Sequence, residues 1–215
     1  MKIRARLVRK LLRAYIKFSS GKEVNYRGKR IYLNSVFNPK GTYSTDLLVE
    51  YLNKRKFREL VEVGSGSGAL IISVAEKINY GIATDIVLKA AYCSKQNITS
   101  AEYNHKIDVV VADTLSCFRA FSLETVVFNP PYLPLDPADD IDLAICCGEK
   151  LELYRRFMKE LAEKLKLNGK AFITCSSLTN LSKVLNIAKS YGFRYSVERV
   201  KRTVFDKIFL IKVLK

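Results

Sequence analysis

One histidine, His105, stands alone in 215 residues with no partner at metal-ligand spacing, so no metal centre is expected. The five cysteines (Cys93, Cys117, Cys146, Cys147, Cys175) form no C-x-x-C pair and are odd in number, which argues against a disulfide framework. Several lie inside apolar stretches, as reduced and mostly buried thiols of a cytoplasmic protein would. Long apolar runs are missing too: windows such as Ala69–Ile72 and Val109–Ala112 fall far short of the ~20 residues a membrane span needs. The start, Met1-Lys2-Ile3-Arg4-Ala5-Arg6, is basic but has no apolar core or small-residue cleavage site, so no signal peptide is expected. Acidic residues are scarce at the N-terminus, where residues 1–30 carry eleven Lys/Arg against Glu23 alone. That is +10 of a net +16. Such a concentration favours an anionic partner, an RNA, a DNA, a ribosomal surface or an acidic protein face, with a solvated basic face as the plain alternative.

What is present is an ordinary core. An apolar fraction of 48% over this length allows one domain with an appendage. Apolar residues at Ile3, Leu7, Val8, Leu11, Leu12, Tyr15 and Phe18 follow helical spacing, with Arg and Lys on the other side, so residues 3–18 read as an amphipathic helix docked on the domain behind it. Glu23–Leu33 reads as a hairpin turning at Arg27-Gly28. The division falls at residues 1–34, a basic helix and hairpin, and 35–215, the main domain.

From there strand and helix alternate. After a loop at Asn38-Pro39-Lys40-Gly41, Thr45 is expected to cap a helix over Asp46–Lys54. Strands are expected at Phe57–Val63, Gly81–Asp85, Ile107–Ala112, Thr125–Phe128 and Ala171–Cys175. Helices are expected at Ala69–Ile78, Val87–Asn97, Thr114–Phe121, Glu149–Leu167 (ended by Asn168-Gly169) and Leu181–Tyr191. Two last strands, Arg194–Val200 and Val204–Val213, complete the chain. The pattern is α/β: a mostly parallel seven-stranded sheet, helices on both faces, and an antiparallel C-terminal edge.

Chemistry gathers at strand ends. Thr125-Val126-Val127-Phe128 stops at Asn129-Pro130-Pro131-Tyr132-Leu133-Pro134, where the prolines end the ladder and hold Asn129 and Tyr132 at a fixed angle. Strand ends of this kind are where open α/β sheets bind ligands. Glu62-Val63-Gly64-Ser65-Gly66-Ser67-Gly68 joins the first strand to a helix, letting a ligand approach the amides. A dinucleotide fold would use the same glycines. Asp85 ends the next strand and suits a ribose diol; Asp113 follows the third and suits an adenine edge. Glu62, two residues before Gly64, can face a cationic sulfonium; a half-buried acid paired with a lysine is the plain alternative.

Together, Glu62–Gly68, Asp85, Asp113 and Asn129–Tyr132 resemble the class I S-adenosylmethionine-dependent methyltransferases, with their Rossmann-like fold. Asn129-Pro130-Pro131-Tyr132-Leu133-Pro134 resembles the HemK-like branch, which methylates a glutamine side-chain amide in the Gly-Gly-Gln loop of translation release factors. The short archaeal and eukaryotic members are most similar, and Val36-Phe37-Asn38-Pro39 with Thr45 before Leu47-Leu48 fits their opening segment. Ser44 stands where they usually have an acid, Lys40-Gly41 looks inserted, and Cys146-Cys147 replaces a glycine pair. The resemblance implies S-adenosylmethionine as cofactor, bound by Thr45, Glu62, Gly64, Gly66, Gly68, Asp85, Asp113 and Asn129. It implies Asn129, Pro130 and Tyr132 as catalytic residues, a release factor as substrate, and a small zinc-binding activator subunit paired along a sheet edge. On chemistry, the Asn129 side-chain carbonyl and the Pro130 backbone carbonyl would accept the two N–H bonds of a planar NH₂ group, and Tyr132 would wall it. An adenine N6 or guanine N2 amino group on RNA or DNA fits the same clamp, so a nucleic-acid methyltransferase stays open. A non-catalytic RNA-binding protein on this fold is a third reading.

Overall fold

The structure is a computed structural model describing residues 2–203 and 206–215, with side chains from residue 4 onward. The first two residues of the expected last strand, Val204 and Phe205, lie outside the described residues, as does the Ile3 side chain.

Helix α1 (Lys2–Ser19) precedes a hairpin of β1 (Glu23–Tyr26) and β2 (Lys29–Tyr32). Arg27 and Gly28 both take positive φ, 50° and 81°, which matches the twist of a two-residue hairpin turn. Helix α2 spans Tyr43–Leu52. It starts earlier than expected: Thr42 is the capping position, and Thr45 sits inside the helix, buried. Then come β3 (Phe57–Val63), α3 (Ala69–Ser73), β4 (Ile78–Asp85), α4 (Leu88–Ser100), β5 (Ile107–Val111) and β6 (Leu123–Phe128). A short α5 (Asp140–Leu143) is followed by α6 (Glu152–Lys164), β7 (Leu165–Ser176), α7 (Leu181–Ser190), β8 (Arg194–Arg202) and β9 (Lys207–Leu214).

Three expectations are corrected by tertiary pairing. The helix from Ala69 ends at Ser73, because Ile78 pairs with Phe57 and the sheet claims residues 78–80. Thr114–Phe121 forms turns instead of a helix, bounded by positive φ at Thr114 and Phe121. The long helix is trimmed to Glu152–Lys164, and Asn168-Gly169 lies in an irregular part of β7, not in a C-cap. There the register jumps from Leu123↔Leu165 to Thr125↔Lys170, and Asn168 absorbs the bulge at φ 66°.

The seven-stranded sheet runs β5-β4-β3-β6-β7-β9-β8, parallel except where β9 joins β7 and β8. Along β6 the pleat sends Val127 to one face and Val126 and Phe128 to the other. Val127 joins a core built with α2, α3 and α4, which the hairpin residues Tyr26 and Ile31 also enter. Val126 and Phe128 join a second core with α6 and α7, around Tyr154, Phe157 and Val184. Burial on both faces explains why this strand reads as unbroken apolar sequence. Each fully buried side chain of this size contributes about 1.5–3 kcal/mol of burial free energy.

α1 docks on the segment after Tyr132. Ala5 and Ile16 pack with Leu133, Leu135, Ile145 and Cys146. Arg9 and Arg13 turn inward onto Asp142, whose side chain is fully buried, and Arg13 also reaches Asp139 at 2.6 Å. Burial opposes the charge of Asp142, but hydrogen bonds from Arg13, the Ala138 amide and Arg9 outweigh it and hold the carboxyl below its usual range. The expected outward basic face is therefore only partly outward. Among the described residues, no helix is long and apolar enough to cross a membrane.

Candidate active site

Strand order reverses at β3, whose neighbours are β4 on one side and β6 on the other. Register then lines up the strand ends. Val63 pairs with Thr84 and with Phe128, and Phe128 pairs with Ile173. The next residues, Asp85, Gly64, Asn129 and Thr174, thus form one row at the carboxyl edge, the topological switch point where such sheets bind ligands. A cleft of about 1200 Å³ opens over this row, lined by Thr45, Glu62, Gly64, Gly66, Asp85, Asp113, Asn129, Pro130 and Tyr132 among others.

Every expected site residue except Gly68 lines that cleft. Gly68 serves the loop from behind. Its φ is 71°, and a Cβ there would stand 2.5 Å from Ser94 Oγ and 3.3 Å from Ser94 Cα. Gly68→Ala should cost about 2–4 kcal/mol from left-handed strain plus collision with α4. A denaturant midpoint unchanged from wild type would contradict this.

Glu62 is buried, and its carboxylate accepts the Ile71 amide at 3.0 Å. That amide takes the place of the lysine weighed from sequence. Burial, helped by the nearby Asp85 charge and only partly offset by the amide, pushes its pKa up to about 8. Asp85 binds two backbone amides, Gly66 through Oδ2 and Val87 through Oδ1, each at 2.9 Å, and so ties the glycine loop to the end of β4. Burial raises its pKa too, against those hydrogen bonds. Asp113 meets Arg156 of α6 at 3.3 Å.

Asn129 stands in a small network. Thr174 Oγ1 donates to Asn129 Oδ1 at 2.6 Å, and the Tyr132 hydroxyl lies 2.8 Å from both of those oxygens. Asn129 Nδ2 donates to Thr45 Oγ1 at 3.2 Å. Burial pushes the Tyr132 phenol above its usual range, so it stays a donor. Sequence reasoning gave Tyr132 a ring-face role; the structure adds a role for its hydroxyl. Thr174 went unnoticed, although a polar residue ending the apolar run Ala171-Phe172-Ile173 beside the Asn129 strand is its signal. Arg156, Asp142 and the cleft-facing side of α1 were missed as well, since each depends on long-range packing.

Comparison with known proteins gives the family. A family model, methyltransferase small domain, matches residues 32–203. The chain belongs to that family. This methyltransferase is 29% identical over 171 residues to a Methanocaldococcus jannaschii protein named for protein N5-glutamine methyltransferase activity, covering 77% of this chain and 85% of that one. It is 27% identical over 145 residues to the release factor glutamine methyltransferase of Lactococcus lactis, covering 60% of this chain and 52% of that protein. The chain thus spans about half the length of that bacterial relative. Among solved structures, the Mtq2–Trm112 complex of E. cuniculi, described as responsible for methylation of the termination factor eRF1, gives a TM-score of 0.58 at 20% identity, covering 80% of this chain and 94% of that one. A Pyrococcus horikoshii protein described as a transferase gives 0.65 at 13% identity, covering 92% and 73%. Both likenesses bear on the fold alone, which is that of Rossmann-like methyltransferases.

Methyltransferases of this kind generally draw on S-adenosylmethionine, and the residues present suit it. Ser65 Oγ is buried at the cleft without a hydrogen-bond partner, the acids Glu62, Asp85 and Asp113 all line the cleft, and Gly66 leaves the loop backbone open to approach.

Proposed function

We propose that this methyltransferase transfers a methyl group to the side-chain amide of a glutamine, in the Gly-Gly-Gln loop of a translation release factor. The observation that carries the reading is the Asn129 network at the switch point. A glutamine amide nitrogen is a poor nucleophile because its lone pair is delocalised. Asn129 Oδ1 and the Pro130 carbonyl accept its N–H bonds, draw the nitrogen toward a tetrahedral form, and aim it. Asn129 cannot take a proton at neutral pH, so proton loss follows transfer. S-adenosylmethionine, when bound, supplies a methyl group on a sulfonium. Glu62 would meet its cationic end, Asp85 would offer its remaining lone pairs to the ribose, and Asp113 would border the base.

In the free protein, both lone pairs of Asn129 Oδ1 face hydroxyls. An acceptor amide displaces one of them, and Tyr132, whose hydroxyl also reaches Thr174 and Ser44, is the one we assign to yield. Thr174 then fixes the carbonyl. Thr174→Val should lower kcat about 10–100-fold with little change in donor binding, and Thr174→Ser should restore it. A valine variant with full kcat would remove Thr174 from the mechanism.

Support for the acceptor comes from the names of the relatives and from the Asn-Pro-Pro-Tyr segment. Incubating the protein and a release factor with methyl-labelled S-adenosylmethionine tests it: label on the factor supports the reading, and label confined to RNA replaces it with nucleic-acid methylation. A small activator subunit fits the free sheet edge at β5, where Val111 is exposed. We place α1 as the part of the N-terminal appendage that serves the same cleft, in a cytoplasmic enzyme.

A further inference from the structure

Leu7, Leu11 and Tyr15 of α1 line the same cleft as Asn129 and Glu62, yet nothing in the chemistry above uses them. The helix is anchored from another side, through Ala5, Ile16 and the two arginines on Asp142. Spacing of four puts Leu7, Leu11 and Tyr15 on a neighbouring stripe. Leu7 is 60% exposed and Leu11 63%, an aliphatic pair at the rim of a catalytic cleft. Phe37, Pro39 and Tyr43 line the cleft as well, and the Tyr15 and Phe37 rings meet at 5.9 Å. The cleft, at about 1200 Å³, exceeds the ~300–1000 Å³ typical of a small-ligand site, so it has room beyond a methyl donor. The family model begins at residue 32, so the α1 part of this wall lies outside it.

We propose that Leu7, Leu11 and Tyr15 form a shelf that holds the polypeptide flanking the acceptor residue. The proposal rests on the protein-acceptor reading and gives it a surface. Three features favour polypeptide over nucleic acid as the occupant. The exposed part of the shelf, Leu7 and Leu11, is aliphatic, whereas single strands are held on aromatic platforms and phosphates by cations. Asp136 and Asp140, both exposed, line the same cleft and oppose the pull of Arg4 and Lys40 on phosphate. Arg9 and Arg13, part of the N-terminal charge excess, are already engaged by Asp139 and Asp142.

The test is the double variant L7S/L11S in the full chain, both positions being exposed. Unchanged melting and donor binding establish that it folds. The KM for the release factor should rise at least tenfold, kcat at saturating factor should be retained, and L7M/L11M should restore KM. An unchanged KM overturns the shelf while leaving the substrate reading intact; so does a wild-type dimer that L7S/L11S dissolves without moving KM. If wild type leaves the release factor unlabelled, the substrate reading falls by itself, and the shelf is read in labelled cell extract. Protease-sensitive label lost with L7S/L11S supports a polypeptide shelf for another protein. Protease-sensitive label of undiminished strength, or label removed by RNase, overturns it.

Discussion

Asn129→Ala is expected to lower kcat on the order of a thousandfold while leaving the affinity for S-adenosylmethionine nearly unchanged. In the proposed mechanism the side chain supplies an acceptor that matters most as positive charge builds on the attacking nitrogen, so its loss falls on the transition state. Its Oδ1 is held by Thr174 at 2.6 Å, and its Nδ2 by Thr45 at 3.2 Å, which fixes the amide plane before any acceptor arrives. That preorganisation is why a water molecule in the alanine cavity is a poor substitute. The substitution also strips partners from buried hydroxyls, at about 1–2 kcal/mol, so melting is measured alongside. Single-turnover methyl transfer at saturating donor and acceptor decides the matter. Retained activity in a folded Asn129→Ala protein would take Asn129 out of the mechanism.

Glu62→Gln is expected to weaken donor binding about 10–100-fold above pH 8 and to flatten its pH dependence. In the free protein, burial holds the Glu62 pKa at about 8. A cationic donor favours the ionised form, so binding below that value releases a proton. Affinity therefore rises with pH and levels off above about 8. For folding the sign is opposite. The unfolded chain ionises Glu62 in the ordinary carboxylate range, the folded chain only near 8, so between these the unfolded state holds fewer protons and stability falls as pH rises. Glutamine removes that penalty, so the variant should melt higher than wild type at pH 9 without donor. Calorimetric titration in buffers of different ionisation enthalpy counts the released proton. A glutamine variant that binds the donor like wild type, with the same pH profile, would exclude Glu62 from the cationic end.

Local chemistry made much of this protein legible. The turn at Arg27-Gly28, the strand Phe57–Val63, the glycine loop and the abrupt stop at Asn129-Pro130 follow from residues within a few positions of one another. Where expectation failed, a distant partner had intervened. Ile78 left its helix for Phe57, and Asn168-Gly169 became a bulge because β7 carries extra residues against Leu123–Thr125. α1 read correctly as amphipathic, but its spacing left open which side packs. Asp142 decided that by drawing in Arg9 and Arg13 and turning Leu7 and Leu11 toward the cleft.

By itself, then, the sequence determined the alternation of strands and helices, the glycine turn, and the asparagine held between a strand end and two prolines, because propensity and backbone stereochemistry act over short distances. The tertiary structure alone decided that Gly64, Asp85, Asn129 and Thr174 share one edge. It alone decided that Thr174 and Tyr132 hold the Asn129 carbonyl, and that α1 walls the cleft. Strand order and register set those neighbours, and they come from burying two apolar faces at once, a condition no short stretch of chain contains.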